Sequence, residues 1–427
     1  MGSSGRSFDG NDIWFTASSR CYEVKSCGRF KKGLVMKQIL AILGMNLRTI
    51  LARSGSSIVI IIGIAGSVAV MVSLLAMAEG LSKTIANTGE EDRVLIFRDG
   101  ANSELSSGIY VPNVSIIENM PGIRQSDEGP MISSELYTII DLKKKGAEDT
   151  SNLPLRAVEQ MSFKIRPELK IIEGQNFTPG RAEIIVGKGA NDQYESLDIG
   201  DQIKVRDTLV TVVGIFATGG DVHESEIWAD LAGAQGFFRR ENSASIAIAQ
   251  MESSSVITEF GVALELDPRL ELRVQGEADF YSQQSSGASG VIEIFGYVVA
   301  IIMAIGAVFA ALNTMYSAVS TRLVEIGTLR AVGFQGGSVL LALMIESMIL
   351  ALLGGLLGAG ISYLIFNGYT VSTLASGSFT QTAFDFAVTG SIVSQGLILA
   401  LIVGFLGGVL PARRAATQDI TAALRAI

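Results

Sequence analysis

Few of the side chains that most often do chemistry are present. The one histidine, His223, lies in an acidic, glycine-bounded turn, Gly219–Glu226, and the two cysteines, Cys21 and Cys27, precede the first apolar run. A lone imidazole far from any thiol makes neither a metal site nor a nucleophile–base pair. A C-x5-C spacing with no histidine nearby is a poor zinc site. No G-x-x-x-x-G-K-[ST], H-E-x-x-H or G-x-S-x-G occurs, so the loop that cradles ATP phosphates, the zinc-peptidase helix and the serine-hydrolase elbow are all missing. His223 reads as a surface histidine and the cysteines as free thiols. The chain reads as non-enzymatic, with no cofactor and no metal.

The informative polar residues are charges set beside apolar runs. Thr321–Phe334, TRLVEIGTLRAVGF, separates the uncharged runs Ile294–Ser320 and Ser347–Phe366. It is too short to be a domain and so reads as a polar connection between two membrane helices. Arg322 and Glu325 share a helix face. With Arg330 they form a basic loop, which predicts a cytoplasmic location. A short helix there can be braced by Arg322 and Glu325, approach a neighbour or turn at Gly327 and Gly333, and meet an acidic rim through Arg330. It is placed to receive a push from a cytoplasmic partner. Glu346 lies inside the wider apolar run Val339–Phe366. Either it is a functional intramembrane carboxylate, or it sits near the inner surface and pairs with Arg322 or Arg330. Gly354 with Gly358, and Gly404 with Gly408, are spaced for close helix approach, within a chain or between two.

Membrane helices must hold these positions. The chain has 427 residues, 48% of them hydrophobic, and a mean hydropathy of +0.41. Its acidic residues concentrate between Gly80 and Gly290, and the remainder is net basic. The low isoelectric point argues against a nucleic-acid partner. Residues 1–35 read as a disordered or non-native extension, and 36–53 as an amphipathic helix on the cytoplasmic membrane surface. The run from Ser54 is about 25 residues long, enough to span a core of roughly 30 Å and too long for the apolar part of a signal peptide. Transmembrane helices are expected at 54–79, 291–320, 339–366 and 391–411, with an external loop at 367–390 and a cytoplasmic tail at 412–427. Arg48, Arg53, Arg322, Arg330, Arg413 and Arg414 all fall on one side, which places both termini inside and residues 80–290 outside. That block mixes strand and helix patterns between Gly/Pro turns and reads as α+β, with a possible inserted subdomain at 166–238. The expected fold is a helical membrane protein, one plus three helices, with a large extracytoplasmic α+β domain between helices one and two.

This layout, with its charged loop, resembles the MacB/FtsX-like permeases of ABC transporters. Thr321–Phe334 is similar to that family's R-x-x-E-I-G-x-L-R-A-x-G, which falls on Arg322, Glu325, Ile326, Gly327, Leu329, Arg330, Ala331 and Gly333. Glu346, the tail Pro411–Ala416 and Ala423–Arg425 also fit, and Glu183–Gly187 and Val212–Phe216 resemble strands of the MacB-type periplasmic core domain. The resemblance spans residues 37–427. It implies a permease of the bacterial inner membrane that dimerises with itself or a related permease and binds a separate cytoplasmic ATPase. It also implies motion passed to an external domain that can meet a periplasmic adaptor. Efflux or lipoprotein release is the first functional expectation, and control of a cell-wall hydrolase, as FtsX-like proteins do, is the alternative.

Overall fold

The computed structural model describes residues 38–40, 42–45, 54–374 and 381–419. Cys21, Cys27, the segment 1–35, most of the amphipathic stretch 36–53 and the end of the tail lie outside the described residues.

Five helices carry the membrane part: α1 (Ser54–Ala86), α2 (Glu277–Ser320), α3 (Leu323–Ala331), α4 (Gly336–Phe366) and α5 (Gly390–Thr417). Among the described residues, α1, α2, α4 and α5 are long and apolar enough to cross a membrane. Between α1 and α2 lies an α/β domain built on a ten-stranded mixed sheet. Its strands are β1 (Arg93–Arg98), β2 (Ile132–Lys143), β3 (Thr150–Val158), β4 (Lys170–Gly174), β5 (Glu183–Gly187), β6 (Gln202–Val205), β7 (Thr208–Ala217), β8 (Ile227–Asp230), β9 (Ile246–Gln250) and β10 (Leu272–Gly276). The order is β10-β1-β9-β2-β3-β8-β5-β7-β4, with β6 paired to β7. The segment 166–238 contributes β4 to β8 to this same sheet. A hairpin, β11 (Thr370–Leu374) and β12 (Gln381–Asp385), lies between α4 and α5.

Two compact units result, one of Ser73–Gly296 with Leu364–Thr389, the other of Met1–Val72, Tyr297–Tyr363 and Gly390–Ile427. In the first, β1 and β9 are buried along almost their whole length. This fits their uninterrupted apolar sequences, because a strand covered on both faces has no reason to alternate. β6, near the edge, alternates exposed and buried residues. In the second unit, a methyl group on Gly354 would press on the Ile61 carbonyl and Ile64, and one on Gly358 on the Ala65 backbone. Gly404 and Gly408 meet Ala351 and Ser347 in the same way. Both glycine pairs therefore bring helices of one chain together, α4 onto α1 and α5 onto α4. Ser362 Oγ adds a 2.9 Å hydrogen bond to the Ala69 carbonyl. Such contacts matter in lipid, where no hydrophobic force drives helices together.

Candidate functional site

α3 is a nine-residue helix with two unlike faces. Ile326 and Gly327 are buried, and Leu323, Leu329 and Phe334 pack on the same cluster as Val319, Val339, Leu343 and Ala415. Arg322, just before the helix, is buried, and its Nη1 lies 3.6 Å from Glu346 Oε2, also buried. Arg330 donates to the backbone carbonyl of Gln418. The helix then stops in a Schellman turn: Gly333 N–H donates to the Arg330 carbonyl at 3.2 Å, and Phe334 N–H to that of Leu329 at 3.1 Å. Gly333 has φ +107°, a conformation that disfavours side chains. The other face is open. Val324, Glu325, Thr328 and Val332 are exposed, Val332 at 76%.

The structure thus joins Arg322 to Glu346 and leaves Glu325 exposed, where its charge suits the first turn of the helix. Arg322, Gly327, Arg330 and Gly333 seat α3 against the bundle. The exposed residues Val324, Thr328 and Val332 went unnoticed in the sequence. Their spacing with Glu325, at i, i+1, i+4 and i+8, is the signal that marks a second helical face.

A second polar site lies in the external domain, and no motif announces it. Arg156, in the middle of β3, is fully buried and held by three carboxylates. Its Nε and Nη2 meet the two oxygens of Glu226 at 2.7 and 2.9 Å, and Nη1 meets Glu104 at 2.7 Å and Glu135 at 2.8 Å. Arg166 also binds Glu135 and lies 3.5 Å from Glu277 at the start of α2, and Arg93 binds Glu277 at 2.9 Å. Burial alone would raise the Glu135 pKa, but Arg166 and Arg156 outweigh it and hold the carboxyl down to about 2. Burial raises that of Glu104 against the pull of Arg156. The network ties the first turn of α2 to the sheet.

His223 belongs to this region and is buried, which corrects its reading as a surface residue. A 3-10 turn, Val222–Ser225, tucks the ring edge-on to Trp228 and Tyr281. Its Nδ1 is 3.2 Å from Asp221 Oδ2. Burial works against the imidazolium, yet Asp221 beside it lifts the pKa above 6.5, with Glu226 assisting and Arg166 opposing. A group whose pKa rises on folding stabilises the fold below its unfolded value, and the contribution is lost as pH rises through the folded value. The melting temperature of the detergent-solubilised chain should therefore fall as pH rises from the ordinary histidine value of 6.5 through the raised folded value, and fall less in His223→Gln. An identical pH slope in the variant would contradict this role.

The family model for the MacB-like periplasmic core domain matches residues 57–265, and that for the FtsX-like permease C-terminal matches residues 297–420. The uncharacterized ABC transporter permease YknZ of Bacillus subtilis is 24% identical, covering 89% of this chain and 98% of its own length. The macrolide export ATP-binding/permease protein MacB of Hahella chejuensis is 25% identical over 93% of this chain, which spans 60% of that longer protein. A crystal structure of the extracellular domain of YknZ from Gram-positive bacteria aligns over 43% of this chain and 100% of that domain, with 16% identity and a TM-score of 0.33. With a MacB-like core domain and an FtsX-like permease C-terminal region matched in that order, the chain belongs to the MacB/FtsX-like family of ABC transporter permeases.

Proposed function

We propose that this permease relays ATP hydrolysis by a separate cytoplasmic ATPase to motion of its extracellular domain, for export or lipoprotein release. The observation that carries the reading is the two-faced α3. One face is fixed by the Arg322–Glu346 pair, by Arg330 and by the Gly333 turn. The other presents Val324, Glu325, Thr328 and Val332 with nothing over them among the described residues. A helix docks in a partner's groove through such a face, and a fixed seat lets it pass on force instead of tilting. The basic residues around it support a cytoplasmic position with both termini inside. A second permease copy and a periplasmic adaptor complete the expected assembly.

The FtsX-like match over residues 297–420 supports the second reading, control of a cell-wall hydrolase. The two readings share the relay and differ in what the external domain touches. Purification of the full chain from native membranes, with identification of bound proteins, tests both. A near-stoichiometric ATPase is the expected companion, and its absence would overturn the relay. An adaptor alongside it favours export, and a peptidoglycan hydrolase favours regulation.

A further inference from the structure

We infer that a cavity in the unit of Ser73–Gly296 and Leu364–Thr389 binds the phosphate-bearing headgroup of an outer-leaflet lipid. Its volume is about 400 Å³, and it is walled by the last turns of α1, the β11–β12 hairpin, the helix Lys188–Gln193 and the Gly219–Gly220 turn. That space accommodates a small polar group and not a whole lipid. The acyl chains would stay in the bilayer.

Depth and chemistry both point to a headgroup. Counting from Ser57, α1 crosses a core of about 30 Å in roughly 20 residues, so its cavity-lining turns, Gly80 to Thr84, emerge at headgroup level. Phe384 and Phe386 line the cavity, and Phe386 stacks on Phe366 with ring centroids 5.5 Å apart. Tyr369, beside them, is exposed. Aromatic rings collect at this depth in membrane proteins. The walls are held in place: Ala387 N–H donates to the Ala76 carbonyl at 3.1 Å, and Ala383 N–H to Ser225 Oγ at 2.8 Å.

Lys83 and Lys188 supply the positive charge. Both are exposed, and neither lies within 4 Å of a carboxylate among the described residues. Four carboxylates also line the cavity and keep their charge, so the lining suits a zwitterionic headgroup, its phosphate at the lysines and its ammonium at the acids; three of the acids are also tied to the walls. Glu224 Oε1 accepts from the N–H groups of Thr218, Gly219 and Gly220 at 2.8, 2.9 and 2.9 Å. Asp221 accepts from Thr218 and His223, and Asp385 accepts from Thr370. Asp192 is exposed at the rim, where it can meet the ammonium of a zwitterionic headgroup. A metal is the other ligand that acids suggest, yet no group of three or more potential metal-binding side chains is found among the described residues.

The test is native mass spectrometry of the full chain released from micelles containing phosphatidylethanolamine. Lys83→Gln/Lys188→Gln should lower lipid retention at least about five-fold, the loss expected from one basic residue beside a lipid phosphate. The control pair Lys170→Gln/Lys204→Gln, equally exposed and outside the cavity, should retain lipid as the parent does. Equal retention in the cavity variant overturns the proposal. So does displacement of the lipid by millimolar inorganic phosphate with the same dependence on Lys83 and Lys188, which would make free phosphate the ligand. The result is independent of whether an ATPase co-purifies.

Discussion

Arg156→Ala should destabilise the external domain by about 3–5 kcal/mol, the cost of stranding buried charge. Arg156 lies fully buried among Glu104, Glu135 and Glu226, with Tyr137 stacked 4.7 Å from its guanidinium. Removing it leaves three carboxylates with no central counter-charge, and Arg166 reaches Glu135 alone among them by an ion pair. Such groups regain neutrality by taking up protons. The deficit should therefore shrink as pH falls, beginning with Glu104, whose pKa is already raised. Arg156→Lys keeps one charge but loses the two-pronged grip on Glu226, and should fall between parent and Ala variant. Chemical denaturation at neutral and mildly acidic pH measures all three. An Ala variant with the parent's unfolding midpoint would show that the network does not hold the fold.

The second large effect concerns the open face of α3. Thr328→Trp places a bulky ring among Val324, Glu325 and Val332, where the structure leaves it free of the bundle. Folding and membrane insertion should be unchanged, since exposed substitutions away from special features cost little. Association with the ATPase should weaken by about 30-fold, the loss typical of one interface hot spot. Gly327 is the wrong place for this experiment. It is buried, so a large side chain there would unseat the helix and confuse loss of docking with loss of structure. Binding of the purified ATPase to Thr328→Trp at parental affinity would remove α3 from the docking surface.

Much of the architecture was readable before the structure. The four spanning runs declare themselves by length, and most sheet strands follow from β-rich runs between Gly and Pro turns. The patterns at Arg93–Phe97, Glu183–Val186, Gln202–Val205, Leu209–Phe216 and Glu271–Gln275 predict strands, and β1, β5, β6, β7 and β10 lie within a residue of them. β8 is not predicted, because Ile227–Asp230 is short and buried throughout, with no alternation to betray it. β4 is an edge strand whose residues are mostly exposed, so it carries little apolar pattern. The ion network escaped for another reason. Arg93, Glu104, Glu135, Arg156, Arg166, Glu226 and Glu277 are scattered over the domain, and only strand pairing brings them together. One clue was there: Arg156 interrupts the apolar run Leu153–Val158, where a charge demands buried partners. His223 was misread because a polar neighbourhood in sequence is no guide to burial in a turn. The seat of α3 was half legible. Glu346 was a named candidate partner of Arg322, but a motif does not distinguish residues that hold a helix from those that meet a partner.

Hydrogen exchange on the purified ATPase–permease complex tests the relay most directly. With ATP bound and hydrolysis blocked, exchange should change in the external domain at Glu277–Gly296, the start of α2 that the arginine network grips. The change should vanish in Thr328→Trp. A complex that turns over ATP while the exchange of its external domain stays the same with and without nucleotide would contradict the account.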